Sequence, residues 1–138
     1  LLAIPARPAP SAEAVQLFSD PLCAVCHVPS LHTRADYPYA PLAGVAAPVF
    51  TDLLLHDMGD ALADGLTDGT ATSRQWRTAP LIGERLMRSY LHDGRAASIA
   101  DAIEQHDGAG SEAHDSIARF HALAAAQRQT LIDYVQGL

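Results

Sequence analysis

Lysine is missing from this sequence, and all nine basic residues are arginines. This excludes chemistry that needs a lysine nucleophile or a lysine Schiff base. Acidic residues number 16, and the net charge is −7. Because a nucleic-acid interface needs a basic patch to neutralise phosphates, we expect no nucleic-acid partner. No apolar run approaches the ~18 residues of a membrane helix, so we also predict no membrane span.

Cysteine is scarce, because the only two cysteines, Cys23 and Cys26, lie in the single motif Cys-Ala-Val-Cys-His that ends at His27. No other cysteine is available for a disulfide framework, and no second C-x-x-C could complete a four-ligand zinc site. The C-x-x-C-H pattern is typical of c-type haem attachment, in which two thioether bonds hold the porphyrin. We therefore predict one covalently bound haem c, with His27 as the proximal ligand of its iron.

Covalent haem attachment normally takes place on the outer side of a bacterial cytoplasmic membrane, so we expect a periplasmic or otherwise exported protein. The sequence has no initiator methionine and begins LLAIPARPAP, which we interpret as a processed or truncated N-terminus. Residues 1–10 are predicted to form a stiff Pro-rich lead-in. The length and the 49% apolar content predict one globular haem domain over residues 11–138.

Helical signals dominate the rest of the chain. Apolar residues at helical spacing predict a short helix over 11–19, with Ser11 as its N-cap. Two more helices are predicted near the end of the chain. One carries Ile117, Phe120, His121 and Leu123, and the other carries Leu131, Tyr134, Val135 and Leu138. Ser98 and Asp101 fit a capping box that begins another helix. Because no strand-like alternation of useful length appears, we predict an all-α, loop-rich fold of the cytochrome c type, with helices around one haem.

Loop signals fill the region between the haem motif and Ser98. Residues 28–50 contain four prolines and are predicted to wrap the haem as an extended loop. Leu53 to Leu55 are predicted to be buried. An acidic loop follows, and its carboxylates suit a calcium ion chemically. Their spacing does not match an EF-hand, however, and favours a solvated loop. These carboxylates belong to Asp57, Asp60, Asp64 and Asp68.

The iron ligand opposite His27 decides between an electron carrier and a catalyst with an open iron. Candidates are the two methionines and the six other histidines. His106 continues the apolar stripe of Ile99, Ala102 and Ile103, and a histidine on a buried stripe needs a polar partner. That partner is either the iron or a backbone group. Met58, in a loop beside Gly59, is the rival, because methionine is a common axial ligand in cytochromes c.

Other polar residues have predicted supporting roles. Arg95, in the tight turn His-Asp-Gly-Arg, and Arg77 are candidates to bind the haem propionates, because arginine favours planar bidentate partners. His56 and His92 each precede an aspartate and are predicted to be hydrogen-bonding neighbours of the site or surface residues. Met87 is predicted to lie in the core.

These motifs together resemble a known family. The run CAVCH … FTDLLLHDMGDALADG … QWRTAPLIG … YLHDGRAASIADAIEQHDGAG is similar to the C-terminal haem domain of the di-haem oxidoreductases, also called thiol-oxidoreductase-like. These proteins are relatives of the bacterial di-haem cytochrome c peroxidases and of the MauG group. The resemblance covers about residues 13–138.

The resemblance implies an all-α cytochrome c fold and an electron-transferring haem. In the peroxidases the distal ligand is a methionine on the helix after the His-Asp-Gly turn, and in the MauG group it is a tyrosine. That position matches His106 here, which favours His106 over Met58. The relatives carry two C-x-x-C-H motifs, whereas this chain has one. It is thus either part of a larger di-haem protein or a separate mono-haem cytochrome.

Three functional hypotheses follow. The first is an electron-transfer domain with a six-coordinate haem held by His27 and His106, acting with a redox partner protein or a second haem domain. The second is a peroxidase or related oxidoreductase with an exchangeable iron site, in which His56 or His92 would move protons. The third is a structural haem domain that docks on a partner. Whether the chain is an enzyme stays open between them.

Overall fold

Five α-helices and four very short strands make up the computed structural model, which describes residues 9–138. The Pro-rich lead-in predicted for residues 1–10 lies almost wholly outside that range. The helices are α1 (Ala12–Ser19), α2 (Cys23–Cys26), α3 (Ile99–Glu104), α4 (His114–Ala122) and α5 (Ala125–Gln136). The strands are β1 (Leu31–His32), β2 (Ala46–Ala47), β3 (Leu55–Asp57) and β4 (Gln75–Arg77). Single 3-10 turns lie at Ala40–Leu42, Asp60–Leu62 and Glu84–Leu86.

Helix α1 confirms the helix predicted over 11–19. The Ser11 hydroxyl accepts a hydrogen bond from the Ala14 N–H at 3.1 Å, which satisfies one of the free donors of the first turn. The helix buries Leu17 and Phe18 and packs mainly against α5. The two helices predicted near the end of the chain are confirmed as α4 and α5, although Leu123 and Leu138 lie just beyond their ends.

The core lies between these helices and the chain around Phe50. The rings of Phe18, Phe50 and Tyr134 contact one another edge to face, with centroids 5.6 to 6.4 Å apart. Such aromatic contacts add to the free energy gained by burial. The buried apolar side chains of this cluster are Leu17, Phe18, Phe50, Tyr90, Ala96, Ile99, Ala102, Phe120, Leu131, Val135 and Leu138. Cys23 and Ala24 of α2 pack on its edge, so the core directly supports the haem motif.

The prediction of an all-α fold is wrong. Residues 9–138 are 37% helix and 12% strand, which makes a mixed α/β fold. β1 pairs antiparallel with β2, and β3 pairs antiparallel with β4, in two separate two-stranded sheets. Strands of two or three residues are too short to produce a visible alternation of polar and apolar residues. These strands form where two loop segments lie side by side and the backbone N–H groups of one donate hydrogen bonds to the backbone carbonyl oxygens of the other.

Two predictions of burial are also wrong. Leu53, Leu54 and Leu55 expose 50 to 60% of their surface, and Met87 exposes 55%. The backbone of Leu53 has a positive φ of 65°. Strand β3 pairs only with β4, and a sheet of two short strands offers no surface that buries these leucines. Within residues 9–138, no helix has the length and apolar character that crossing a membrane requires.

Helix α3 begins at the predicted N-cap. The Ser98 hydroxyl accepts from the Asp101 N–H at 3.0 Å, and the Asp101 carboxylate accepts from the Ala97 N–H at 3.0 Å. The helix buries Ile99 and Ala102 in the core. The helix ends at Glu104, so His106, which the apolar spacing placed on this helix, lies two residues beyond its last residue.

Replacing Ser98 with alanine is expected to lower the free energy of unfolding by about 1 kcal/mol, because the Asp101 N–H loses its acceptor. Urea denaturation of the two proteins would measure the difference. Ser19→Ala is the matched control, because Ser19 lies at the exposed end of α1 and caps no helix start. Equal losses in the two variants would contradict the capping role.

Candidate functional site

The C-x-x-C-H motif forms one compact helical turn. Helix α2 begins after Leu22, which has a positive φ of 70°, and the His27 N–H closes the turn by donating to the Cys23 carbonyl oxygen at 2.9 Å. Both cysteines are free thiols and partly buried. Burial raises the pKa of Cys23 to about 11. Two neutral thiols are thus presented on one turn, directly before the histidine.

His27 is held in a defined tautomer. Its Nδ1 lies 3.2 Å from the Phe50 carbonyl oxygen. A carbonyl oxygen can only accept, so in the neutral ring Nδ1 carries the proton and Nε2 has the lone pair that a metal ligand needs. The backbone of Ala79 also contacts the ring. Burial, and next the neighbouring His106, lower the pKa of His27 to about 4. The ring is therefore neutral at pH 7, as a metal ligand must be.

His106 is held in the same way. Its Nδ1 donates to the Ala102 carbonyl oxygen at 2.7 Å, which again leaves Nε2 with a lone pair. Burial lowers its pKa as well. The centroids of the His27 and His106 rings are 6.5 Å apart, with 51° between the ring planes. Metal–imidazole bonds of about 2 Å would hold two rings on opposite sides of one metal about 6 Å apart.

These residues fit a c-type haem site. Two thiols and a neutral imidazole lie together at one turn, and the centroid of a second neutral imidazole lies 6.5 Å from the first, which would leave room for one metal atom between the rings. The two alternatives weighed for His106, iron ligation or a backbone hydrogen bond, turn out to be compatible. The backbone bond uses Nδ1 and leaves Nε2 available.

Met58 is fixed by its backbone. Its N–H donates to the Arg74 carbonyl oxygen at 2.9 Å, and it pairs with Ser111 in an isolated antiparallel bridge. Met58 therefore lies beside the segment that follows His106, and its side chain is partly buried. Its role as an iron ligand stays a prediction, as does that of His106.

A charged cluster lies beside Cys26. The His56 Nε2 lies 2.8 Å from an Asp52 carboxylate oxygen, and its Nδ1 lies 2.8 Å from a Glu112 carboxylate oxygen. Cys26 Sγ lies 3.9 Å from the same Nδ1. Because carboxylates only accept, both ring nitrogens carry protons and the ring is an imidazolium. We call Asp52, His56 and Glu112 the His56 cluster.

The pKa values of the cluster agree with this charge assignment. Burial alone would lower the pKa of His56, but its hydrogen bonds to Glu112 and Asp52 raise it above the ordinary value. Partial burial opposes the ionisation of Asp52, but hydrogen bonds from the Leu54 N–H and His56 lower its pKa to about 2. The Asp57 N–H and then His56 lower the pKa of Glu112. The cluster thus holds two negative charges and one positive charge at neutral pH.

Cys26 lies close to this cluster. Ligand atoms of Cys26, Asp52 and His56 lie within 4.8 Å of one another. Both nitrogens of the His56 ring are hydrogen-bonded to carboxylates, however, so a metal ion would have to displace one of these bonds. Sequence reasoning noted His56 but missed both carboxylates. The spacing of four residues between Asp52 and His56 was an available signal, whereas Glu112, 56 positions from His56, gave none.

Trp76 and His92 form a second arrangement that the sequence did not indicate. Their rings stack with centroids 3.6 Å apart and only 13° between the planes. The Trp76 indole N–H donates to the Leu62 carbonyl oxygen at 3.0 Å. His92 therefore supports β4 from the turn that precedes Arg95.

Comparison with known proteins supplies the family. The chain matches, over residues 1–138, the model of a family described as "di-haem oxidoreductase, putative peroxidase". This chain is a member of the di-haem oxidoreductase family. No curated protein and no solved structure matches it.

Membership confirms the family resemblance of the motifs and gives this di-haem oxidoreductase member a haem-binding redox function. The specific link to the MauG group stays a prediction. The family description implies two haems, whereas the sequence holds one C-x-x-C-H motif.

The arginines predicted to bind haem propionates differ in their surroundings. Arg95 is already engaged, since its Nε donates to the Asp93 carboxylate and its Nη1 donates to the Ala61 carbonyl oxygen at 2.8 Å. Its Nη2 is the guanidinium nitrogen without such a bond. Arg77 lies exposed at the end of β4. The propionate roles of both stay predictions.

The acidic loop uses two of its carboxylates internally. Arg74 binds Asp57 at 2.9 Å and Asp60 at 3.0 Å, and it also donates to the Gly110 carbonyl oxygen at 3.3 Å. These contacts join the loop to the segment that follows His106. The Asp57 and Asp60 carboxylates that a calcium ion would need are thereby bound to a cation already.

Proposed function

We propose that this chain is an electron-transfer cytochrome domain of the c type, with one covalently attached, six-coordinate haem. Cys23 and Cys26 would form the two thioethers, and His27 and His106 would bind the iron. The observation that carries this proposal is the pair of neutral imidazoles, each held by a backbone oxygen at Nδ1, with ring centroids 6.5 Å apart.

The chain's own residues would bind and orient the haem. The Phe50 carbonyl fixes the rotation of the His27 ring, and the Ala102 carbonyl fixes that of His106. Such hydrogen bonds increase the basicity of the ligands. Both histidines are partly buried, which limits the access of water. The haem supplies one-electron redox chemistry at a potential that its axial ligands tune.

The partner we propose is a second haem domain or another redox protein. The family description supports the former, because this chain carries one attachment motif of the two that a di-haem protein needs. The net charge of −7 favours a partner that presents a positive surface. Covalent haem attachment supports a periplasmic or otherwise exported location.

A peroxidase is the second candidate, because the family description names that activity. A peroxidase would require that His106 does not bind the iron, or that it dissociates from the iron, so that a substrate could bind at that position. His56 is a poor proton acceptor for such a reaction, because both of its nitrogens already carry protons. His92 is the remaining candidate, although its ring is stacked on Trp76.

The deciding experiment combines the absorption and EPR spectra of the oxidised holoprotein with the variant His106→Gly. We expect a low-spin wild type without the long-wavelength methionine–iron band. We expect the variant to be high-spin and to bind added imidazole or cyanide, because its iron has an open position.

Met58→Leu is the matched control and should keep the wild-type spectrum. A methionine–iron band that is lost in Met58→Leu would transfer the ligand role to Met58 and keep electron transfer. A high-spin wild type that binds cyanide would favour the peroxidase instead.

A further inference from the structure

The His56 cluster touches the haem motif from a part of the chain that supplies no haem ligand. Cys26 Sγ lies 3.9 Å from the His56 ring, and the carboxylates of Asp52 and Glu112 are on the two sides of that ring. The side chains of His56 and Asp52 expose only 17% and 12% of their surface, whereas that of Glu112 exposes 54%. Water therefore screens the His56–Asp52 contact poorly.

Backbone contacts hold the cluster rigidly beside the motif. Thr51 is fully buried, and its N–H donates to the Val28 carbonyl oxygen at 3.1 Å, one residue beyond His27. The Thr51 hydroxyl donates to the Thr78 carbonyl oxygen at 2.8 Å. Asp52 follows directly, so its carboxylate has a fixed position relative to Cys26 and His27.

The far side of the cluster is fixed as well. The Glu112 N–H donates to the Asp57 carbonyl oxygen at 2.8 Å, and a Glu112 carboxylate oxygen accepts from the Asp57 N–H at 3.0 Å. The neighbouring Asp57 carboxylate is paired with Arg74. Arg74 also binds Asp60, so this neighbouring group keeps a net negative charge of its own. The charged group in contact with Cys26 is the His56 cluster.

The charges of the cluster lie close to the haem motif. Cys26 Sγ lies 3.9 Å from the His56 ring, and both carboxylates contact that ring at 2.8 Å. With two carboxylates and one imidazolium, the cluster places a net negative charge beside the second thioether position.

We propose that the His56 cluster sets the reduction potential of the haem bound at Cys26, with the two carboxylates lowering it and the His56 imidazolium raising it. This inference rests on the proposed haem site. The reaction concerned is the uptake of one electron by ferric iron to give ferrous iron. Ferric haem carries one more positive charge than ferrous haem, so nearby negative charge stabilises the oxidised form and nearby positive charge destabilises it.

The test is a potentiometric titration of the holoprotein and two variants at about pH 5.5. At that pH a histidine of ordinary pKa, about 6.5, stays protonated, and carboxyl groups with pKa near 4 stay ionised. His56→Gln removes the positive charge and is expected to lower the potential. Asp52→Asn removes a negative charge and is expected to raise it. For each we expect about a tenfold change in the one-electron equilibrium constant, which corresponds to about 59 mV.

The exposed ion pair of His121 and Glu104 supplies matched controls. Its nitrogen and oxygen are also 2.8 Å apart, but both side chains are about half exposed. His121→Gln and Glu104→Gln make the same charge changes where solvent screens them, so we expect shifts several times smaller.

Opposite shifts in His56→Gln and Asp52→Asn would support the proposal, because a merely structural loosening would not reverse sign with the charge removed. Shifts in the same direction, or shifts no larger than those of the controls, would overturn it. The EPR spectra of the same samples separate this outcome from a failure of the proposed function. A wild type without two histidine ligands would refute the ligand assignment, and the opposite shifts would still be expected at a haem attached to Cys26.

Discussion

Replacing both Cys23 and Cys26 with serine is expected to abolish the covalent attachment of haem completely. The two thiols lie on the single turn α2, are partly buried and form no disulfide. They are also the only cysteines in the chain, so no other side chain can form a thioether. Mass spectrometry of the denatured polypeptide would measure the loss, since the wild-type chain should carry the added mass of one haem.

Each single substitution is the control for the double one. Cys23→Ser and Cys26→Ser leave one thiol each, and both should retain haem on the denatured chain through a single thioether. Haem that stays on the denatured double variant would contradict the assignment of c-type attachment. A double variant that binds haem while folded and loses it on denaturation would agree with the assignment. In that variant His27 and His106 would still bind the iron of the folded protein.

The helices could be predicted because their signals are local. The Ser11 and Ser98 caps and the apolar spacing of the C-terminal helices depend on residues within a few positions of one another, and the folded chain keeps them. The strands could not be predicted, because β3 and β4 pair residues as far apart in sequence as Leu55 and Arg77. The apolar run from Leu53 to Leu55 suggested burial, but apolar composition does not reveal whether a loop has anything to pack against.

In the candidate site, too, the local motifs could be predicted and the distant contacts could not. Cys23, Cys26 and His27 form a contiguous motif, and the apolar spacing after Ser98 pointed to His106, although the helix itself ends at Glu104. The partners that hold them come from elsewhere in the chain. The Phe50 carbonyl and the Glu112 carboxylate approach His27 and His56 only after folding, and a backbone carbonyl leaves no trace in the sequence at all.

Phe50 links the core to the proposed iron ligand, and its replacement with alanine is expected to lower the stability of the fold strongly. Its ring is 6% exposed and packs edge to face on Phe18 and Tyr134, so we expect a loss of about 3–5 kcal/mol in the free energy of unfolding. Its backbone has a positive φ of 51°, which is costly for a residue other than glycine and which the buried ring helps to hold. Without the ring, the carbonyl that accepts from His27 is free to turn away.

Phe120→Ala separates these two effects. Phe120 is buried to a similar degree, at 3% exposure, but it lies in α4, and its backbone oxygen accepts from Leu123, not from His27. Urea unfolding followed both by far-UV circular dichroism and by the haem absorption band would measure the two variants. In Phe120→Ala the two signals should change together, as in a two-state transition. In Phe50→Ala the haem band should change at lower urea concentration than the helices, because the ligand loses its support before the fold does. Coincident transitions in Phe50→Ala would show that its ring stabilises the core without holding the carbonyl that orients His27.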